Sequence, residues 1–261
     1  MRRGAAIAAA ALLLVGTASF ELAVAGNKQS EPTVVRAGNM VLKIDGNITP
    51  NVLPAHRFAP MGIWGSARLS TADGSHPPAL ERSVFDGDKD VVISVEGLPV
   101  CRVNQLRAVE TRTAEAACGE AILGRGSATV EVAFPEQKPF DSTGPLIFFN
   151  GGERAGVIKV LAYSYVSVPA PTAVIATAEI KRVNEGPFGL RVETRVPRIA
   201  GGAGSFVAAK FSIRRVYTDD GKRRSVISGR CPDGRIQAKG AFTFSDTTVL
   251  AGSVVRTCAA K

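Results

Sequence analysis

The sequence predicts an all-β protein, a β-sandwich (one large or two packed) or a related barrel, and three observations carry that expectation. Most of the chain alternates apolar and polar residues with a period of two, turn-forming residues interrupt it at short intervals, and prolines such as Pro54, Pro135 and Pro169 punctuate the expected strand ends. Side chains on a strand point alternately to its two faces, so a period of two describes sheets with one face buried and one wet.

The first element is an export signal. In MRRGAAIAAAALLLVGTASFELAVAG two arginines precede an apolar run from Ala5 to Phe20, and Ala23-Val24-Ala25 offers a small-x-small cleavage site. That is the layout of a secretory signal peptide over residues 1–25, cleaved after Ala25. The apolar run is too short and alanine-rich to make an uncleaved membrane anchor the better reading. Arg2-Arg3 lacks the flanks of a twin-arginine signal, so the general export route is expected. Cleavage leaves 236 residues with 30 basic against 22 acidic side chains, a net charge of +8. No later stretch is long and apolar enough to cross a bilayer as a helix. The expected mature protein is secreted or extracytoplasmic, with a flexible lead-in over 26–36 and the β domain over 37–261. A division near 135–145, in FPEQKPFDSTGP, applies if two sandwiches exist.

The strands follow. Met40, Leu42 and Ile44 alternate with Val41, Lys43 and Asp45; Ala128, Val130, Val132 and Phe134 alternate with Ser127, Thr129, Glu131 and Ala133. Phe188, Leu190, Val192 and Val196 share one face, and Arg191, Glu193 and Arg195 the other. Ala209, Phe211 and Ile213 interleave with Lys210, Ser212 and Arg214. VIKVLAYSYVSV, residues 157–168, is apolar on both faces and suits an interior strand. Asp45-Gly46-Asn47, Asp73-Gly74, Asp86-Gly87, Asn150-Gly151-Gly152 and Asp219-Asp220-Gly221 supply turns. About a dozen strands at this spacing indicate a sandwich or barrel. One segment departs from the pattern: NQLRAVETRTAEAAC, between Cys101 and Cys118, is rich in helix formers and predicts a short helix stopping near Gly119.

The halves look faintly alike, since each ends in a cysteine pair and LPAHRFAPMGIWGSARLS and VPRIAGGAGSFVAAKFS share a proline-to-glycine lead-in. Four cysteines permit three pairings; the most local, Cys101–Cys118 with Cys231–Cys258, is adopted. Each closed loop would stabilise the fold by roughly 3 to 3.5 kcal/mol in the chain-entropy picture. The final run RCPDGRIQAKGAFTFSDTTVLAGSVVRTC then reads as a stapled hairpin. Ile236, Ala238, Phe242 and Phe244 lie on one face, with Arg235, Gln237, Lys239 and Thr243 on the other.

Candidate chemistry is sparse. There is no P-loop, GxGxxG, HExxH or GxSxG, and only two histidines. No cofactor and no metal are expected. His76 sits in TADGSHPPAL beside Asp73 and Ser75, but sequence neighbours seldom converge as a triad, so a surface turn is expected. His56, in LPAHRFAP, is treated alike. FDGDKD sets Asp86, Asp88 and Asp90 at alternate positions, yet Val91 and Gly97 stand where an EF-hand loop needs Gly and Glu. A solvated turn is expected there. Trp64, the only tryptophan, could pack in the core or mark an exposed ligand surface, and core packing is adopted. Tyr163 and Tyr165 are assigned to the interior.

Charge is uneven. Nine basic residues against three acidic ones fall between Lys210 and Lys239, a +6 stretch across a hairpin through TDDGK. Lys210, Arg214, Arg215, Arg223 and Arg224 form a candidate anion-binding ribbon. Its expected partners are an anionic envelope polymer or lipid surface, against the plainer alternative of a solvated face. Nucleic acid is the weakest partner, because export removes the protein from most of it and no stacking aromatics interleave the charges.

LPVC followed by ACGEAILGRGSA, then FPEQKPF, GPLIFFNG, AGGAGSF and RCPDG with FTFSDTT and RTC, together resemble a group of secreted, two-disulfide β proteins of high-GC bacteria. The likeness runs from about residue 40 onward. It implies export, β architecture and the cysteine frame; no reaction or ligand is assigned to that group, and no functional residue comes with it. The function expected is a non-enzymatic extracytoplasmic binding or structural module of the envelope. The alternative is a secreted hydrolase using His56 or His76 with a carboxylate.

Overall fold

The computed structural model describes residues 31–260, so the expected signal peptide lies outside the described residues. Twelve strands build one antiparallel sheet: β1 (Thr33–Ala37), β2 (Met40–Thr49), β3 (Gly62–Thr71), β4 (Leu80–Asp88), β5 (Ile122–Val132) and β6 (Phe140–Arg154) come from the first half of the chain. The second half adds β7 (Val157–Val166), β8 (Thr172–Glu185), β9 (Phe188–Arg195), β10 (Gly204–Ile213), β11 (Arg235–Phe244) and β12 (Val249–Thr257). Thr33–Ala37 is a strand, not part of a flexible lead-in. Its alternation turns Val35 and Ala37 toward the core, and it pairs with Met40–Ile44.

In space the strands run β1-β2-β3-β10-β5-β6-β7-β8-β9-β4-β11-β12. This is a simple meander except that β4 and β10 have exchanged places. Adding six to every label, cyclically, returns the same order. The topology is therefore a two-fold repeat of six strands, dividing at the Ala155-Gly156 turn, and each half lends its fourth strand to the other. The segment 135–145 joins hydrogen-bonded neighbours, β5 and β6, within that one sheet. LPAHRFAPMGIWGSARLS and VPRIAGGAGSFVAAKFS do not occupy repeated positions; their strands, β3 and β10, are antiparallel neighbours.

The sheet is rolled until its edges meet, so the opposed layers of a sandwich are here continuous with each other. Thr33 Oγ1 donates to Ser253 O at 3.2 Å across the seam. Where short β1 stops, Arg256 of β12 reaches β2 directly: Nε donates to Gly46 O and Nη2 to Asp45 Oδ1 at 2.8 Å. The inward face is apolar. Met40, Leu42, Leu69, Phe242, Phe244 and Leu250 fill one region, and Ile48, Met61, Ile158, Val160, Ile180, Ile227 and Ile236 another. Phe211 packs edge-on against Phe148 at 5.6 Å, in space opened by Gly65, where a Cβ would come within 2.8 Å of the Phe211 ring. The outward face carries Lys43, Arg68, Arg82, Glu179, Lys181 and Arg195, all exposed. A lipid-facing barrel shows the reverse arrangement, apolar outside and polar within.

Odd strands end at one mouth of the barrel and even strands at the other. The second mouth is plugged by Ala59–Pro60, Ile227–Gly229 and Val91–Ile93, which form a three-stranded sheet, and by the Cys231–Cys258 disulfide. Between β4 and β5 the chain forms α1 (Val103–Leu106) and α2 (Thr111–Cys118), joined to their start by the Cys101–Cys118 bond. This insertion packs outside the barrel on Ile147, Phe149, Leu161 and Tyr163. The Tyr163 hydroxyl donates to Val109 O at 2.6 Å, and burial pushes its pKa up. Here is why 157–168 is apolar on both faces: one lines the barrel, and helices cover the other.

Candidate functional site

Three groups of polar residues stand out. The first is at the odd-strand mouth, where 72–79 and 196–203 cross between non-adjacent strands. His56 is exposed on its turn, but His76 is half-buried in the 72–79 segment and meets side chains from two strands. Its Nδ1 lies 2.6 Å from Glu131 Oε1 on β5 and its Nε2 3.2 Å from Ser205 Oγ on β10. Glu131 and Ser205 are register partners. The expected surface turn is thus corrected: His76 is pinned by residues 55 and 129 positions away.

The spacing resembles a serine-histidine-carboxylate row, but hydrogen accounting gives it another role. Ser205 is 1% exposed, and its hydroxyl donates to Pro77 O at 2.5 Å. With that proton committed, the Ser205 Oγ can only accept from its second neighbour, His76 Nε2. The row runs from His76 to Glu131 on one side and through Ser205 to Pro77 on the other. It fastens the 72–79 strap to the sheet. Ala79 N donates to Ser245 Oγ and Ser245 N to Ala79 O, securing the strap's far end. A cavity of about 500 Å³ lies at that end, lined by Ala79, Leu80, Val196, Arg198, Phe206 and Ser245 among others. None of His76, Glu131 and Ser205 lines it.

The second group is the FDGDKD carboxylates. They are buried, not solvated, because β4 lies between β9 and β11 and each carboxylate is satisfied by protein. Asp86 accepts from Arg191 at 2.6 and 3.1 Å, with Lys239 Nζ at 3.1 Å. Asp88 accepts from the backbone of Asp90 and Gln237, and Asp90 pairs with Arg230 at 2.6 Å. Arg191's two hydrogen bonds hold the Asp86 carboxyl below its ordinary range, against burial and with help from Lys239. Burial instead pushes Asp88 up. A depressed folded pKa means Asp86 contributes stability above the unfolded value, about 3.9, and loses it as pH falls through the folded one. Thermal unfolding between pH 2 and 6 should therefore show an acid limb that is flatter in Asp86→Asn than in the wild type. Equal limbs would remove Asp86 from the account.

The third group is basic. The expected hairpin exists, pairing Val216–Asp219 with Lys222–Ser225. Two of its five candidate cations are already engaged. Arg224 forks onto Glu96 at 2.7 and 3.1 Å and lies 2.8 Å from Asp219; Arg215 donates to Ile122 O. Lys210, Arg214 and Arg223 are exposed. The outward rows of β2, β3 and β10 extend this surface by register: Lys43 opposes Arg68, Ser66 opposes Lys210, and Trp64 opposes Ser212. Trp64 is 41% exposed on that face, which corrects its expected place in the core. On β3 it has the parity of Ser66 and Arg68, while Ile63, Gly65, Ala67 and Leu69 point inward.

Lys43, Arg68 and Trp64 were outside the expected ribbon, though the alternation of GIWGSARLS carried the signal. Glu131 and Ser205 had no local signal at all. Against known protein families, curated proteins and solved structures, the chain finds no match in any of the three comparisons.

Proposed function

We propose that the protein is a non-enzymatic binding or structural module of the cell envelope that meets an anionic partner through the outward face of β2, β3 and β10. The observation carrying this reading is that Lys43, Arg68 and Lys210, on neighbouring strands, and Arg214, just past the end of β10, are exposed with no carboxylate paired to them among the described residues. Grouped cations without counter-charges create a field that attracts anions and weakens with salt. Two disulfides and no free cysteine fit an oxidising compartment outside the cytoplasm, and among the described residues no helix is long and apolar enough to cross a membrane.

Replacing all four cations by glutamate should weaken association with isolated envelopes roughly a hundredfold at low salt. The wild-type protein should be released as salt is raised. Equal binding of wild type and variant at every salt concentration would end this reading. A hydrolase built on His76 has the Glu131–His76–Ser205 row in its favour. Ser205's burial and its committed hydroxyl argue that the row fastens rather than reacts.

A further inference from the structure

We infer that the surface around Trp64 is a platform for an acidic polysaccharide, the indole taking the flat face of a sugar ring while flanking cations pair with the chain's carboxylates or phosphates. This rests on the anion-binding reading above and names its ligand class.

The geometry comes from the register. Trp64 stands opposite Asn47 on one side and Ser212 on the other, with Gly62 and Ser66 two residues away on its own strand. All four neighbours are small, and the ring is left 41% exposed on a sheet face. Lys210 and Arg214 lie two residues either side of Ser212, so each is a diagonal neighbour of Trp64, about 7–8 Å away between strands. Gly62 is packed against Arg214, where an added Cβ would lie 2.5 Å from that residue's own Cβ. The cation–π pairs among the described residues are Arg230 on Phe58 and Lys239 on Phe188, so neither flanking cation lies over the indole. Lys43 and Arg68, paired across β2 and β3, continue the positive track past Ser66, and the one carboxylate in that β2 row, Asp45 opposite Ser66, is paired with Arg256. Serine hydroxyls at 66, 127 and 212 lie between the charges, on three neighbouring strands.

Each part suits one feature of an acidic glycan. A sugar ring presents C–H groups that pack on an aromatic face, its hydroxyls exchange hydrogen bonds with serines, and its acid groups meet Lys and Arg. A bilayer would need several protruding apolar side chains here, and Trp64's neighbours are Gly, Ser and Asn. Single-stranded nucleic acid uses a succession of stacking aromatics, whereas this chain has one tryptophan.

That single tryptophan makes the test direct, since intrinsic fluorescence reports on this face alone. The disulfide-bonded protein is titrated with oligogalacturonate, phosphorylated dextran, methyl-esterified oligogalacturonate, phosphatidylglycerol vesicles and oligo(dT). The expected result is a saturable, salt-sensitive change in Trp64 emission with an acidic glycan and none with the neutral ester. By calorimetry Trp64→Ala should bind the acidic glycan about tenfold more weakly, with a cooperative unfolding transition retained because the residue lies outside the core. Acidic glycan binding that leaves emission and Trp64→Ala affinity unaltered overturns the platform but spares the anion-binding reading. Binding only to vesicles or only to oligo(dT) overturns the glycan. No binding to either acidic glycan at low salt does the same.

Discussion

Replacing Cys231 and Cys258 together with alanine should lower stability by about 3.5 kcal/mol and the unfolding temperature by roughly 7–14 °C for a chain of this size. The loop closed by this disulfide is longer than that of Cys101–Cys118, 27 residues against 17, for which the same chain-entropy argument gives about 3 kcal/mol. Position adds to length. Cys231 is fully buried in the main core and its N–H donates to Pro54 O. Cys258 N–H donates to Gly234 O, and the following Ala259–Ala260 pairs parallel with Val52–Leu53. The bond therefore ties the end of β12 to the plug of the even-strand mouth. Thermal unfolding of both double variants, beside wild type with and without reductant, tests the ranking. A Cys231/Cys258 variant no less stable than the Cys101/Cys118 variant would show that position and loop length do not govern the effect.

Replacing Arg256 with alanine should cost about 2–3 kcal/mol, the range for stranding a partly buried charge or acceptor. Arg256 is 5% exposed, its guanidinium shared between Gly46 O, Asp45 Oδ1 and Val255 O. Removing it leaves Asp45 without its cation and Gly46 O without a donor, at the place where β1 no longer covers β2. Asp45→Asn keeps an acceptor for the guanidinium and should cost less. Hydrogen exchange should localise the damage to β2 and β12. An Arg256→Ala protein that exchanges evenly along the whole sheet would show that the seam is not what this residue holds.

Strand content, the helical insertion and the cysteine frame were legible because each is local. Alternation in Met40–Asp45 or Arg235–Phe244 needs only a few neighbouring residues, and both runs are strands in the expected phase. The double apolar character of 157–168 was legible too, although the helices covering its outer face were not assigned to it. What failed was long-range. FDGDKD reads as a wet turn until β4 is placed between β9 and β11, whose Arg191, Lys239 and Gln237 lie 105, 153 and 149 residues beyond their carboxylate partners. His76 likewise needs Glu131 and Ser205. Trp64 is a different case: its parity with Ser66 and Arg68 was present, but tryptophan's size argued for the core and outweighed it. The run of basic residues was legible, but not that Glu96 already holds Arg224, one of its members.

The exchange of β4 and β10 sets an order of assembly. A chain emerging from its first residue produces β4 long before β9 and β11, the two strands that complete its ladders. Both edges of β4 stay open meanwhile, an invitation to mispairing. For β10 the situation is opposite, because β3 and β5 already exist when it appears. Until then the two meanders of the first half share no edge, and a truncated polypeptide has no way to close the ring. Maturation must wait for nearly the entire length to be delivered, so premature stops anywhere before β12 should yield protease-sensitive material rather than a smaller working barrel.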